Sequence, residues 1–505
     1  MLSLKQNRFF LFLVILITIP ILLPLFHPGV FVTDDLDWMI IRFSGFHQSL
    51  ADGQIPVRWI ERLNHEYGYP VANFLYPGFL YLAEIPKLLG FGFIASIKFI
   101  LGASVVFGSI FTYLWLSKLF DRWAAFVGTF FYLYTPYYLF DLYKRGSVGE
   151  VLALATAPFI FWQIERRSVF WSSIGVAMLI LSHNTLALLF LPVIVIYTFL
   201  RKQLTISSSF LTLVLGLGLS AFFWIPALFD LQYTKFSQTQ VSVWQEHFAN
   251  INLIGLGAFV VLFGSLVVLR NHWKELVPWF FLLVTTLAIF LSLPIGAVGW
   301  QVLPVSLIQF PFRLLSLVVI GGAFLTAFLL GTSEEKRKIQ MSIILASVML
   351  FSASTFMPSE YRDKEEGFYA TNEDSTTVHN EYMPKWVQIP ITERPEQKVE
   401  IDEAVGKVKN VVVKSNKVTF TAVMTQESSV QINIVYFPGW EASIDGNKTA
   451  IDYENEQGVM SIIVSEGEHA ISLRFGETPV RLMGDIISIG SLLLLLGLVL
   501  RRKDT

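Results

Sequence analysis

Twelve runs of this chain carry almost no charge and are long enough, or nearly so, to cross a lipid bilayer. They lie at about 9–26, 94–117, 123–140, 151–165, 168–183, 185–200, 206–229, 251–269, 276–295, 312–331, 339–357 and 483–500. A helical crossing takes roughly 20 mostly apolar residues, and lipid offers no partner to an unpaired backbone amide, so such runs fold as helices. Composition agrees: 54% of the 505 residues are hydrophobic and 15% charged, against about 25% charged in a soluble domain. These values exclude a soluble enzyme and a disordered scaffold. A net charge of −2 supplies no field to attract nucleic acid. The absence of cysteine excludes disulfides, thiolate metal sites and cysteine nucleophiles.

Lysine and arginine positions orient the runs. With the N-terminus inside, the inner loops carry Lys5/Arg8, Lys118/Arg122, Arg166/Arg167, Arg201/Lys202, Arg270/Lys274, Lys336/Arg337/Lys338 and Arg501/Arg502/Lys503. Both termini are then cytoplasmic. The first run lacks a small-residue cleavage site and reads as an uncleaved anchor. The count closes only if the stretch 76–90, which holds Glu84, Pro86 and Lys87, lies at the outer interface instead of crossing. Residues 27–93 become one long outer loop.

Residues 357–480 are different material, with 11 positive and 21 negative charges. Strand-like alternation appears at Val408–Met424, Val430–Phe437, Ser443–Asp445, Val459–Val464 and His469–Phe475, with turn signals at Asp445-Gly446-Asn447 and Glu466-Gly467-Glu468. The expectation is a polytopic α-helical membrane protein of about twelve spans. Its membrane domain covers 1–356. An extracytoplasmic domain covers 357–480, acidic and irregular at first and a β-sandwich from about 400. A final span with a basic cytoplasmic tail covers 481–505.

Charge beside a membrane is expensive, so polar residues at the outer face carry the information. Four groups stand out. Thr33-Asp34-Asp35-Leu36-Asp37-Trp38 places three carboxylates in four residues. In a helix starting at Thr33, Asp35, Met39 and Arg42 share a face; Thr33 or Asp34 capping that helix is the plainer account. The loop also holds Gly53-Gln54-Ile55-Pro56-Val57-Arg58-Trp59, then Glu61, Arg62, His65 and Glu66, a mixture suited to sugars or to an interfacial belt. Asp141 through Glu150 put Lys144 and Arg145 outside, against the orientation rule; an anionic ligand or an ion pair with Glu150 or Asp141 accounts for them. The last group is Ser182-His183-Asn184 with Gln309-Phe310-Pro311-Phe312-Arg313. No P-loop, G-x-G-x-x-G, H-E-x-x-H or G-x-S-x-G signature occurs.

Several of these stretches resemble the GT-C superfamily of integral-membrane glycosyltransferases. They are closer still to the bacterial multipass proteins labelled 6-pyruvoyl-tetrahydropterin synthase-related and to their YfhO-like relatives. The stretches are Asp35-Leu36-Asp37-Trp38 with Arg42, Gly53 to Trp59, Gly68-Tyr69-Pro70 with Phe74-Leu75-Tyr76-Pro77, Arg145-Gly146 with Glu150, Ser182-His183-Asn184, Ala221 to Ala227, and Gln309 to Arg313. In the strand-rich region, Tyr436-Phe437-Pro438-Gly439-Trp440 with Gly467-Glu468-His469 continues the likeness. Met39 departs from it, since relatives often carry histidine four residues after the acid. The resemblance implies transfer of a sugar from a polyprenyl-phosphate carrier to a glycan, lipid or protein acceptor at the outer face of the plasma membrane. It makes Asp35, or Asp34, the catalytic base. Arg58, Arg145 and Arg313 would meet the departing phosphate, and Arg42, Tyr76, Glu150 and His183 would join them in binding substrate. No nucleotide site is required; some members of the superfamily use a divalent cation and others do not, and Asp34, Asp35 and Glu150 are the residues that could ligate one. A transporter or flippase of lipid-linked sugars, or a glycan-binding scaffold, are the alternatives. A transporter should place polar residues deep in its spans; those are sparse, and the main candidate, Lys98, lies near the outer end of its run.

Overall fold

The computed structural model describes residues 2–238, 244–302 and 308–501; Arg502 and Lys503 of the expected basic tail lie outside them. Among these residues seven helices are long and apolar enough to cross a membrane, or nine if each of two bent pairs is one crossing. The chain is therefore a multi-pass membrane protein with a β-sheet region near its C-terminus. The helices differ in how the protein covers them. Val148–Glu165 and Pro311–Gly331 have 83% and 89% of their apolar windows buried in protein, while Pro479–Leu498 has 17%. The first two form the centre, and the last faces outward.

All twelve apolar runs contain helix, but several are too short or too broken to count as long spans. Pro136 ends Arg122–Tyr134 at Thr135, because proline removes a donor and disfavours helix in the residue before it. Gly255, at φ 80°, splits 251–269 into Ile251–Ile254 and Leu256–Leu269. Ile206–Leu219 meets Ala221–Tyr233 at 66°, and Leu276–Ser292 meets Pro294–Gln301 at 97°.

The loop after the first helix, Leu2–Leu22, is built from folded pieces: Leu36–Ala51, the short Val71–Phe74, and Gly78–Leu88. Gly78–Leu88 buries Phe79, Leu80 and Ala83 and exposes Ile85 and Leu88, the two-sided pattern of a helix between protein and lipid. The 357–400 segment has little regular structure, yet it packs onto this loop. Tyr361–Arg362 pairs antiparallel with Val30–Phe31, and Lys364 Nζ and Tyr369 Oη donate to Asp37 at 2.9 and 2.6 Å.

Beyond it, eight strands form two antiparallel sheets. The five-stranded sheet runs Gly406–Lys414, Lys417–Met424, Gly467–Phe475, Trp440–Ile444, Asn447–Thr449; the three-stranded one runs Val399–Glu400, Ser428–Val435, Val459–Val464. The run expected at Val408–Met424 is two strands, turned at Ser415-Asn416. Asp445 and Gly446, both at positive φ, make the hairpin turn that their sequence signals. Glu466-Gly467-Glu468 instead carries the chain from one sheet to the other. Trp59 of the first loop is fully buried and joins the two regions, its ring 5.5 Å from Phe475 and 5.9 Å from Trp440.

Candidate functional site

The site begins with a break in the helical pattern. Pro136–Phe140 runs into a single π turn, Asp141–Arg145, closed by Gly146 at φ 65°. A β-carbon at Gly146 would sit 2.7 Å from Thr33 Oγ1, so glycine is what lets the Thr33-Asp34-Asp35 segment lie against this turn. It is held there by Asp34 N–H to Lys144 O at 3.0 Å and Asp35 N–H to Arg145 O at 2.8 Å. Gly149 does the same on the other side, where a β-carbon would meet the Tyr76 ring at 2.1 Å and Ser182 O at 2.5 Å. Two glycines thus bring four distant stretches together.

Glu150, in the first turn of Val148–Glu165, is at the centre and fully buried. Arg145 Nη1 donates to its Oε1, which also accepts from Arg313 Nε at 2.9 Å. Tyr137 Oη donates to Oε2 at 3.2 Å. His183 Nε2 lies 3.5 Å from Oε1. The other ring nitrogen of His183 accepts from Leu186 N–H and caps Asn184–Arg201, which leaves the proton of a neutral ring on Nε2, toward Glu150. Arg145 also reaches Asp141 Oδ1 at 3.3 Å and, through Nη2, Asp35 Oδ2 at 3.4 Å. Phe310 and Phe312 cover it, their ring centres 5.8 and 5.3 Å from its guanidinium. Three carboxylates therefore face two guanidiniums. Asp35, with 25% of its side chain exposed, is the one that solvent or substrate can reach.

Asp35 is the N-cap residue of Leu36–Ala51 but makes no side-chain cap bond; Thr33 Oγ1 accepts from Leu36 N–H instead. This corrects the expected helix start at Thr33 and takes the capping role from Asp34. Asp34 is exposed, yet the protein packed around it and the Asp35 carboxylate push its carboxyl above the usual range, with Arg145 pulling it partly back.

The structure brings together Asp35, Arg145, Glu150, His183, Arg313 and Tyr76, whose ring centre lies 4.5 Å from that of His183. Arg42 sits deeper on the loop helix and donates to Thr376. Arg58 is not part of the cluster. Its guanidinium donates to Glu477 at 2.8 Å, Asp485 at 2.9 Å and Phe222 O at 3.0 Å, tying the loop to the start of the last helix. The same cue, a cation among aromatics near the membrane, served a structural lock. Sequence reading missed Tyr137 and Glu381. Glu381 lies in electrostatic reach of Arg42, Arg313 and Asp35; burial raises its carboxyl above the usual range, and the two arginines offset only part of that rise. Nothing in the irregular 357–400 stretch marked it.

Asp34, Asp35 and Glu150 do not suit a divalent cation. Both Glu150 oxygens are taken by Arg145, Arg313 and Tyr137, and no group of three metal-ligating side chains converges among the described residues.

No family model and no curated protein matches this chain. Among solved structures it is similar in part to the cryo-EM structure of the arabinofuranosyltransferase AftD from mycobacteria. The match covers 72% of this chain and 28% of that one, at 16% identity and a TM-score of 0.46. A mutant of the same enzyme matches over 69% and 27%, at 16% identity and 0.41. The chain spans little more than a quarter of that enzyme's length, and neither likeness reaches the level from which a shared fold follows.

Proposed function

We propose that this protein is a membrane glycosyltransferase that moves a sugar from a polyprenyl-phosphate carrier to an acceptor at the outer face of the membrane. The observation that carries the reading is Asp35, a reachable carboxylate held 3.4 Å from an arginine that is itself fixed in a buried ionic cluster. In the proposed step Asp35 takes the proton of an acceptor hydroxyl as its oxygen attacks the anomeric carbon. The bond from that carbon to the carrier phosphate breaks, and the phosphate leaves with the electron pair. Arg313 keeps Nη2 without a protein partner among the described residues, and Arg145 can turn its Nη2 from Asp35; these are the donors for the leaving charge. On this reading the chain crosses twelve times with both termini in the cytoplasm, and the strands between 399 and 475 form an outer sandwich.

The test is release of lipid phosphate by purified protein in nanodiscs supplied with a polyprenyl-phosphate sugar. Asp35→Asn keeps size and removes basicity, so turnover should fall by about 10²–10⁴ at matched expression and thermal stability. Turnover near wild type in this variant would overturn the assignment.

A further inference from the structure

One helical turn from Asp35 lies an open polar cavity that the ionic cluster does not use. Its volume is about 280 Å³, and its walls include Trp38, Asn64, His65, Asp374, Thr376 and Asn380. That is slightly below the roughly 300 Å³ at which ordinary small-molecule pockets begin, a size for one ring and not for a long chain. Trp38 comes from the first turn of Leu36–Ala51, three residues after Asp35 and so on the neighbouring surface of the helix. The opposite walls are two irregular turns in which non-glycine residues are held at positive φ: Asn64, His65 and Glu66 at 59°, 55° and 65°, and Thr376, His379 and Asn380 at 62°, 52° and 53°. Six such residues in two short stretches are held against their preference, the kind of strain that persists where the surroundings require it.

The bonding of the walls is incomplete. Thr376 is fixed by Arg42, Thr377 by Tyr69, and the Asn380 side-chain oxygen by Ser375. The His65 ring, the Asp374 carboxylate, the Asn380 amide nitrogen and the Asn64 amide oxygen have no protein partner among the described residues. These groups mix donors and acceptors around one indole. A carboxylate among them disfavours an anion, and a single carboxylate is too little for a cation. A neutral ring with several hydroxyls and a C–H face satisfies all of them.

From this we infer that the cavity is a binding site for one neutral sugar residue. Resting on the glycosyltransferase reading, it takes that residue from the acceptor and presents it to Asp35. Arg42 is then a positioning residue, joining the cavity wall at Thr376 to the helix that carries the acid.

The probes are methyl glycosides of mannose, glucose and galactose, added to full-length protein in nanodiscs and followed by saturation-transfer NMR. At least one should bind wild type. Trp38→Ala and Asn380→Ala should each weaken it at least tenfold, while Trp38→Phe, which keeps a flat ring, should retain most binding and shows that loss is not misfolding. No binding to wild type, binding unchanged in both alanine variants, or displacement by inorganic phosphate would overturn the inference. Its failure is distinguishable from failure of the enzyme reading. Asp35→Asn that still turns over donor removes the latter and leaves the sugar site standing. Silent glycosides with a dead Asp35→Asn do the reverse.

Discussion

The helix Val148–Glu165 carries a buried glutamate near each end, about 22 Å apart by its rise per residue, and the two are used differently. Glu165 is matched one to one. Arg201 grips it with Nε at 2.7 Å and Nη2 at 2.8 Å, and Tyr197 Oη donates at 2.6 Å. Nothing is left over, and Arg201 keeps 28% of its side chain exposed. Glu150 draws in two arginines, a histidine and a tyrosine, and Arg145 passes the network on to Asp141 and Asp35. Asp141 Oδ2 is buried with no partner among the described residues. One end is a closed lock. The other is over-supplied with charge and open at Asp35, which is how a site differs from a staple built of the same residue types.

The difference can be broken at Glu150. Glu150→Gln removes the carboxylate that pairs with both Arg145 and Arg313, each about 95% buried, and breaking a buried ion pair by removing one partner costs on the order of 3–5 kcal/mol. The expected result is a large drop in thermal stability and folded yield, read by size-exclusion profile and melting temperature. A variant that folds as well as wild type would mean Glu150 is not the keystone of the cluster.

Glu165→Gln should cost less, about 1 kcal/mol, because Arg201, with 28% of its side chain exposed, can turn to water or headgroups when the charge is removed. Donor turnover should stay unchanged. If Glu165→Gln loses as much stability as Glu150→Gln, the two ends are alike and the contrast fails.

Sequence reading saw the open end better than it saw the locks. Asp35, Arg145, Glu150, His183 and Arg313 lie in separate stretches, but each is a charged or strongly polar group where such groups are expensive, and that cost is visible locally. What joins them, the π turn at Asp141–Arg145 and the close approaches at Gly146 and Gly149, depends on neighbours distant in the chain. Arg58 gave the same local cue as Arg145, and only the placement of Glu477 and Asp485 separates a clamp from a site. The 357–400 segment reads as irregular and is, yet its contacts with Asp37, Arg42 and Arg62 shape the open cavity. Hydrophobic periodicity cannot report partners that are neither periodic nor near in sequence. Helix breaks fared similarly: Pro136 and Gly255 are legible as interruptions, while the 66° turn at Ser220 has no proline or glycine at its corner.

The smallest effect separates Asp34 from Asp35. Asp34 does not cap the helix, so Asp34→Asn removes no cap bond. Its carboxyl is raised in the folded protein by its surroundings and by Asp35, so the native state binds this proton more tightly than the unfolded chain. Stability from that source is present at low pH and is lost as pH rises from the ordinary aspartate value through the raised one, leaving ionised Asp34 mildly unfavourable at neutral pH. Asn carries no charge at any pH. Melting temperatures of the two proteins should therefore coincide near pH 3 and separate slightly in favour of Asp34→Asn at pH 7. The gap should correspond to no more than about 0.5 kcal/mol, as for other exposed substitutions, and donor turnover should stay within a few-fold of wild type. A variant less stable than wild type at pH 7 would show that Asp34 is held by a favourable partner. A dead Asp34→Asn beside an active Asp35→Asn would exchange their roles, and the base would be the exposed carboxylate outside the cluster.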